Sequence, residues 1–285
     1  MGIDRNFAAI ILQEHAKKTF GPKLVTVGRQ TVLMEADEAR ALAISSGLKV
    51  GPEPKSVPVD TDTLAGAGNA FIRDDAFFKL MGIKGAKSLD VTDYEGADII
   101  CDLNEPLDEK LEGTADVIID GSTLDNVFDP AMALRNLTKM LSDNGRIFLF
   151  NMGSNHNVPY IIPTPLWLFD YFVVNAFTRC DVYVVATSPQ GVNVLMLDPE
   201  TIKQPPWIPN VTAGDAAIHL IVVAERGPSS TCDKTPVQHQ YRSEAVVKAY
   251  ERRFSMIKRN AQPSLISSTI EPFVHIPPGY KFISA

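Results

Sequence analysis

The sequence is poor in cysteine, with three in 285 residues: Cys101, Cys180 and Cys232. The odd count, the wide spacing and the lack of a C-x-x-C pair exclude a disulfide framework and a structural zinc site. Reduced thiols in a cytoplasmic protein are the simplest reading, and no metal site is expected. Long apolar runs are missing too. The longest apolar region, Tyr160 to Phe177, is broken by Pro163, Pro165 and Asp170, so no segment reaches the roughly 20 residues of a membrane span. Asp4, Arg5 and Glu14 interrupt the N-terminus where a secretion signal would need an apolar stretch. Basic charge is also in deficit. Lys and Arg number 27 against 34 Asp and Glu, a net charge of -7, which gives no bulk attraction for nucleic acid or an anionic membrane. One basic stretch, Arg252, Arg253, Lys258 and Arg259, has the spacing of a solvated helix face. Internal repeats and low-complexity segments are absent.

What is present is an ordinary globular composition, 45% hydrophobic and 21% charged. The length suits one α/β domain over residues 1–285, with a core at 20–226 and a helical extension at 227–285. Helices are expected at 5–18, where Phe7, Ile10, Ile11 and His15 share a face, and at 35–45, 74–81 and 130–141. The last begins with Asp129 as N-cap and Pro130 in its first turn. Between them lie short apolar runs: Leu24–Val27, Lys87–Val91, Ala97–Leu103, Ala115–Asp120 and Gly145–Phe150. Most do not alternate with polar residues, which is how parallel strands buried on both faces read. Strands interleaved with helices imply a Rossmann-like, doubly wound, mostly parallel sheet with an added C-terminal region. Residues 47–69 read as a long surface loop and 200–216 as a Pro-rich insertion around Trp207. Later strands are expected at 182–186, 194–197 and 219–224. A helix is expected at 166–177, and another at 243–259 with Val246, Val247, Tyr250, Phe254 and Ile257 inward. No element is expected after Gln262.

Ligands of open α/β sheets bind beyond the carboxyl ends of the strands. Here those ends carry Gly28, Asp90, then Asp102-Leu103-Asn104, then Asp120-Gly121-Ser122-Thr123. A carboxylate there accepts ribose hydroxyls or an adenine amino group, and glycine lets backbone approach a ligand. Each aspartate has an equally good reading as a turn residue bonding nearby backbone N–H groups.

This order resembles class I S-adenosylmethionine-dependent methyltransferases. It is similar in particular to a bacterial methyltransferase-like subgroup with G-R-Q after the first strand, then D-x-x-x-Y-E-G-A-D-I-I-x-D-L-N-x-P, then D-G-G-T-L-E-H-V-F. The matching stretches are Gly28-Arg29-Gln30, Asp90 to Pro106, and Asp120 to Phe128, within residues 22–178. The resemblance implies S-adenosylmethionine as cofactor. Gly28 and Arg29 would lie near its methionine part, Asp90 at the ribose, Asp102 and Leu103 beside adenine, and Asp120, Gly121 and Ser122 along the transfer crevice. The family's glycine-rich loop after the first strand is reduced here to one glycine, and the subgroup's His and second motif Gly are Asn126 and Ser122.

Methyl transfer needs alignment above all, and a base only where the acceptor must lose a proton. His156 and Asp125 are the candidates, on a small-molecule or sugar acceptor methylated at oxygen or nitrogen. His156 also reads as a loop residue satisfying its own hydrogen bonds. The aromatic set Tyr160, Trp167, Phe169, Tyr171, Phe172 and Phe177 reads as core or as an acceptor pocket. A methyltransferase-like fold that has lost catalysis and serves as a binding or assembly protein is the alternative. A nicotinamide oxidoreductase would need G-x-G-x-x-G, which Gly28 to Leu33 does not supply. Whether the chain forms homo-oligomers is open.

Overall fold

A computed structural model describes residues 2–52, 56–153, 159–189, 191–197, 217–238, 241–260 and 280–282. The chain divides into two compact units, Met1–Ser142 and Asp143–Ala285.

The first unit is the Rossmann-like α/β part. Its elements are β1 (Gly2–Ile3), α1 (Arg5–Lys17), β2 (Leu24–Val27), β3 (Thr31–Val32), α2 (Ala36–Ser45), α3 (Asp74–Leu80), β4 (Lys87–Asp90), β5 (Ile99–Ile100), β6 (Ala115–Gly121) and α4 (Pro130–Met140). Strands β6, β2, β4 and β5 lie side by side in that order, all parallel. The apolar runs explain this: β2 is buried at every position, and β6 at all but one, as strands covered on both faces must be. Helix α1 is capped by the Asp4 carboxylate, which accepts from Phe7 N at 2.8 Å. Phe7, Ile10, Ile11 and His15 are all buried, as expected. Asp129 caps α4 by accepting from Met132 N at 2.9 Å.

Two features were not anticipated. The residues before α1 form β1, which pairs in parallel with β3: Gly2 lies opposite Thr31 and Ile3 opposite Val32. The long loop is also less superficial than its composition suggests. Asp60 and Thr63 are buried, and Asp60 accepts from Asp62 N, Thr63 N and Thr63 Oγ1. Thr63 Oγ1 then meets Thr31 Oγ1 at 2.6 Å, which pins the loop to β3.

The second unit is built on antiparallel pairs. Its elements are β7 (Leu141–Met152, all but its first two residues), α5 (Pro165–Val174), β8 (Arg179–Ser188), β9 (Gly191–Leu197), β10 (Ala217–Glu225), α6 (Glu244–Asn260) and β11 (Tyr280–Phe282). Their order is β11, β9, β8, β10, β7. Strand β11 falls in the tail where no element was expected. Helix α5 stops at Val174 rather than Phe177, because Ala176 turns into the left-handed region at φ 56°. Phe169, Tyr171, Phe172 and Phe177 are buried core, whereas Tyr160 is exposed. Helix α6 rests on α5 through an edge-to-face Phe169–Phe254 pair, with Asp170 accepting from Arg242 at 2.6 Å and from the Tyr250 hydroxyl. Val247, expected inward, is instead exposed. The three thiols are free, with Cys180 and Cys232 buried. No helix among the described residues is long and apolar enough to cross a membrane.

Candidate functional site

The strand ends of the first unit finish level with one another. Val27 lies opposite both Leu89 and Asp120, and Asp90 opposite Ile100. Gly28, at φ 72°, donates its N–H to Leu89 O at 2.6 Å. Gly121, Gly28, Asp90 and Ile100 therefore form one rim. From β2 the chain runs outward to β4 and β5, then returns to β6 on the other side of β2. Such a reversal opens the ligand crevice of a doubly wound sheet between the two strands, here β2 and β6.

The outer part of the rim carries carboxylates without cations. Asp90 is half-buried, and one of its oxygens accepts from Val91 N at 2.7 Å. Asp102 is exposed and accepts from Asn104 N and Asn104 Nδ2, both at 2.9 Å. Those two donors hold its carboxyl below the usual range. Among the described residues neither Asp90 nor Asp102 forms an ion pair. Leu103 is buried, and its carbonyl accepts from Asn136 Nδ2 at 3.0 Å. Beside Asp102 a cavity of about 480 Å³ runs along β5, lined in part by Ile100, Cys101, Pro106 and Leu111.

The inner part, between β2 and β6, is closed. Asp120 is fully buried and accepts from Thr123 N at 2.7 Å and Leu124 N at 3.0 Å. Burial pushes its carboxyl up to about 7, against the pull of those two amides. Ser122, in the left-handed region at φ 78°, donates to Asp125 at 2.8 Å. Asn126 Nδ2 donates to Asp125 at 3.0 Å and to Ser122 O at 2.8 Å. Buried Asp125 is thus a loop-holding acceptor. Arg29 makes a two-pronged pair with Asp74, at 3.1 and 2.8 Å, and Asp74 also accepts from Gln30 N at 3.3 Å. Arg29 therefore turns toward α3. Gln30 itself fills the crevice. It is wholly buried, and a Cβ on Gly121 would collide with its Oε1.

The site residues expected from sequence divide accordingly. Gly28, Asp90, Asp102, Leu103, Asp120, Gly121 and Ser122 come to the rim of one sheet. Arg29 and Asp125 are engaged in holding loops. His156 and Trp207 lie outside the described residues. Sequence reasoning missed Gln30, Asp74 and β1. The Gly28-Arg29-Gln30 triplet was the available signal, but nothing in it reveals that the glutamine folds back over its own strand.

No protein-family model matches the chain, and no curated protein matches it. Solved structures do. Methyltransferases are among them. The citrinin polyketide synthase CMeT domain is 11% identical with a TM-score of 0.39, covering 59% of this chain and 45% of that one. The Burkholderia thailandensis 1,6-didemethyltoxoflavin-N1-methyltransferase, with bound 1,6-didemethyltoxoflavin and S-adenosylhomocysteine, is 15% identical with a TM-score of 0.39, covering 78% of each chain. Geranyl diphosphate methyltransferase in complex with SAM is 17% identical with a TM-score of 0.35, covering 76% of this chain and 84% of that one. This chain thus spans less than half the length of the first.

Proposed function

We propose that the first unit binds an adenine nucleoside across its strand-end rim, and that the protein transfers a methyl group from S-adenosylmethionine to a small-molecule or sugar acceptor at oxygen or nitrogen. The observation that carries this reading is the level rim with two unpaired carboxylates. Asp90 keeps acceptor capacity for the ribose hydroxyls after meeting Val91 N. Asp102, held in its turn by Asn104, is the proposed acceptor for an adenine amino group. The cofactor supplies an activated methyl group, and the chain's task is to align it with an acceptor. His156 is the proposed base where the acceptor must lose a proton.

The test is calorimetry on the full chain with S-adenosylhomocysteine and with adenosine. Micromolar binding is expected, weakened tenfold or more by Asp90→Ala, on the order of 1.4 kcal/mol. Absence of heat with both ligands sinks the reading. A second reading, a methyltransferase-like fold acting as a binding or assembly protein without catalysis, is favoured by one observation: Gln30 fills the crevice between β2 and β6. It predicts a stable protein complex and no turnover, so methyl transfer to any acceptor eliminates it.

A further inference from the structure

The crevice between β2 and β6 presents backbone acceptors rather than charged side chains. The carbonyls of Val27 and Gly28 converge on one donor, Gln30 Nε2, at 2.7 and 3.3 Å. The other end of the same carboxamide is orphaned. Gln30 Oε1 is fully buried and has no hydrogen-bond partner among the described residues. Its position above Gly121 exists only because that residue has no side chain, and the Gly2 carbonyl of β1 lies 3.0 Å from where a Cβ would stand. The backbone of Gln30 is anchored separately, through its N–H to Asp74. The side chain can therefore leave without the loop moving.

A buried polar atom without a partner is unfavourable and calls for a cause. Here the seat satisfies the donor half of the carboxamide and penalises the acceptor half. The group that suits it is a pure donor, such as an ammonium, or an amide whose oxygen points elsewhere. Val27 O also accepts from Thr123 Oγ1 at 3.1 Å, so one of the two carbonyls stays partnered when Gln30 withdraws.

We infer that Gln30 is an internal competitor for the ligand. It holds a donor seat made by the Val27 and Gly28 carbonyls, and a ligand carrying an ammonium or amide donor beyond its nucleoside displaces it. This rests on the nucleoside reading above and concerns the part of the ligand past the ribose. Gln30 is then a specificity-determining residue: it decides how much a ligand gains from its tail.

The experiment compares two probes on the full chain, adenosine and S-adenosylhomocysteine, which carries an amino-acid tail. In Gln30→Ala the seat is empty. Affinity for S-adenosylhomocysteine is expected to rise about tenfold, the worth of one or two neutral hydrogen bonds no longer broken. Affinity for adenosine should stay within about twofold by the same arithmetic. Gln30→Asn, too short to reach both carbonyls, gives the same readout if the alanine variant does not fold. Unchanged or weaker binding of S-adenosylhomocysteine in the folded variant overturns the inference. Adenosine binding that depends on Asp90 but is accompanied by no Gln30 effect overturns the displacement alone. Silence of both probes with wild type and variant overturns the displacement together with the nucleoside site.

Discussion

The two halves of the strand-end rim are built from similar residue types and have opposite characters. On the outer half, Asp90 and Asp102 use part of their acceptor capacity on local amides and form no ion pair among the described residues. On the inner half, Asp74, Asp120 and Asp125 are all buried. They accept from Arg29 and Gln30, from Thr123 and Leu124, and from Ser122 and Asn126 respectively. An aspartate on this rim is thus either left with spare acceptor capacity or a structural bolt. Burial and the number of donors facing it decide which. The aspartates of the inner half should carry stability and those of the outer half binding.

The largest effect is expected at Asp74. Its carboxylate is the partner of a guanidinium that is itself mostly buried, and burial raises its pKa while Arg29 lowers it. Asp74→Ala leaves Arg29 only its longer pair with Asp62, at 3.9 Å, and frees the Gln30 backbone. Removing one partner of a buried pair costs on the order of 3 kcal/mol, which chemical denaturation would register as a lower midpoint at unchanged slope. A loss under about 0.5 kcal/mol, the size of an ordinary surface change, would erase the proposed division between the halves.

Asp120 gives the next effect, through pH. Burial raises its folded pKa to about 7, above the ordinary aspartate value of 3.8. Between those values the folded chain keeps a proton that the unfolded chain has released. The stability this provides is complete below about pH 4 and is lost as pH rises toward about 7, by at most ~1.4 kcal/mol per pH unit. Denaturation at pH 5, 6 and 7 should show this decline in the wild type. In Asp120→Asn that part of the slope should vanish. An identical slope in both proteins would mean that the Thr123 and Leu124 amides hold Asp120 ionised in spite of its burial.

Much of the first unit was legible in the sequence because β2, β5 and β6 lie in runs apolar enough to be recognised alone, and because Asp4 and Asp129 are helix caps that act locally. The motif from Asp90 to Pro106 was legible as a pattern but not as a set of roles. In the structure most of its polar members are scaffold. Glu95 accepts from Leu64 N, Gly96 turns at φ 72°, Asp98 accepts from Ser88 N, and Asn104 accepts from Asp129 N. Gln30 was not legible, since its burial depends on Gly121, far along the chain, and on β1, too short to announce itself. The antiparallel pairing of the second unit was hidden for a related reason. Strands β8 and β10 are buried at most positions, so they show the same unbroken apolar run as parallel ones.

The smallest effect on stability, and the sharpest on the comparison, belongs to the outer carboxylates. Asp90→Ala removes one acceptor from a half-buried position whose only described partner is the next residue's N–H. Asp102→Ala removes a turn acceptor in full contact with solvent. Solvent replaces such bonds readily, so unfolding should shift by no more than about 0.5 kcal/mol in Asp90→Ala and not measurably in Asp102→Ala. If nucleoside affinity nevertheless falls tenfold in Asp90→Ala, stability and binding separate along one rim, and the turn reading of Asp90 fails. If stability falls by several kcal/mol while binding is untouched, Asp90 belongs with Asp74 and Asp120, and the outer half loses its claim as the ligand side.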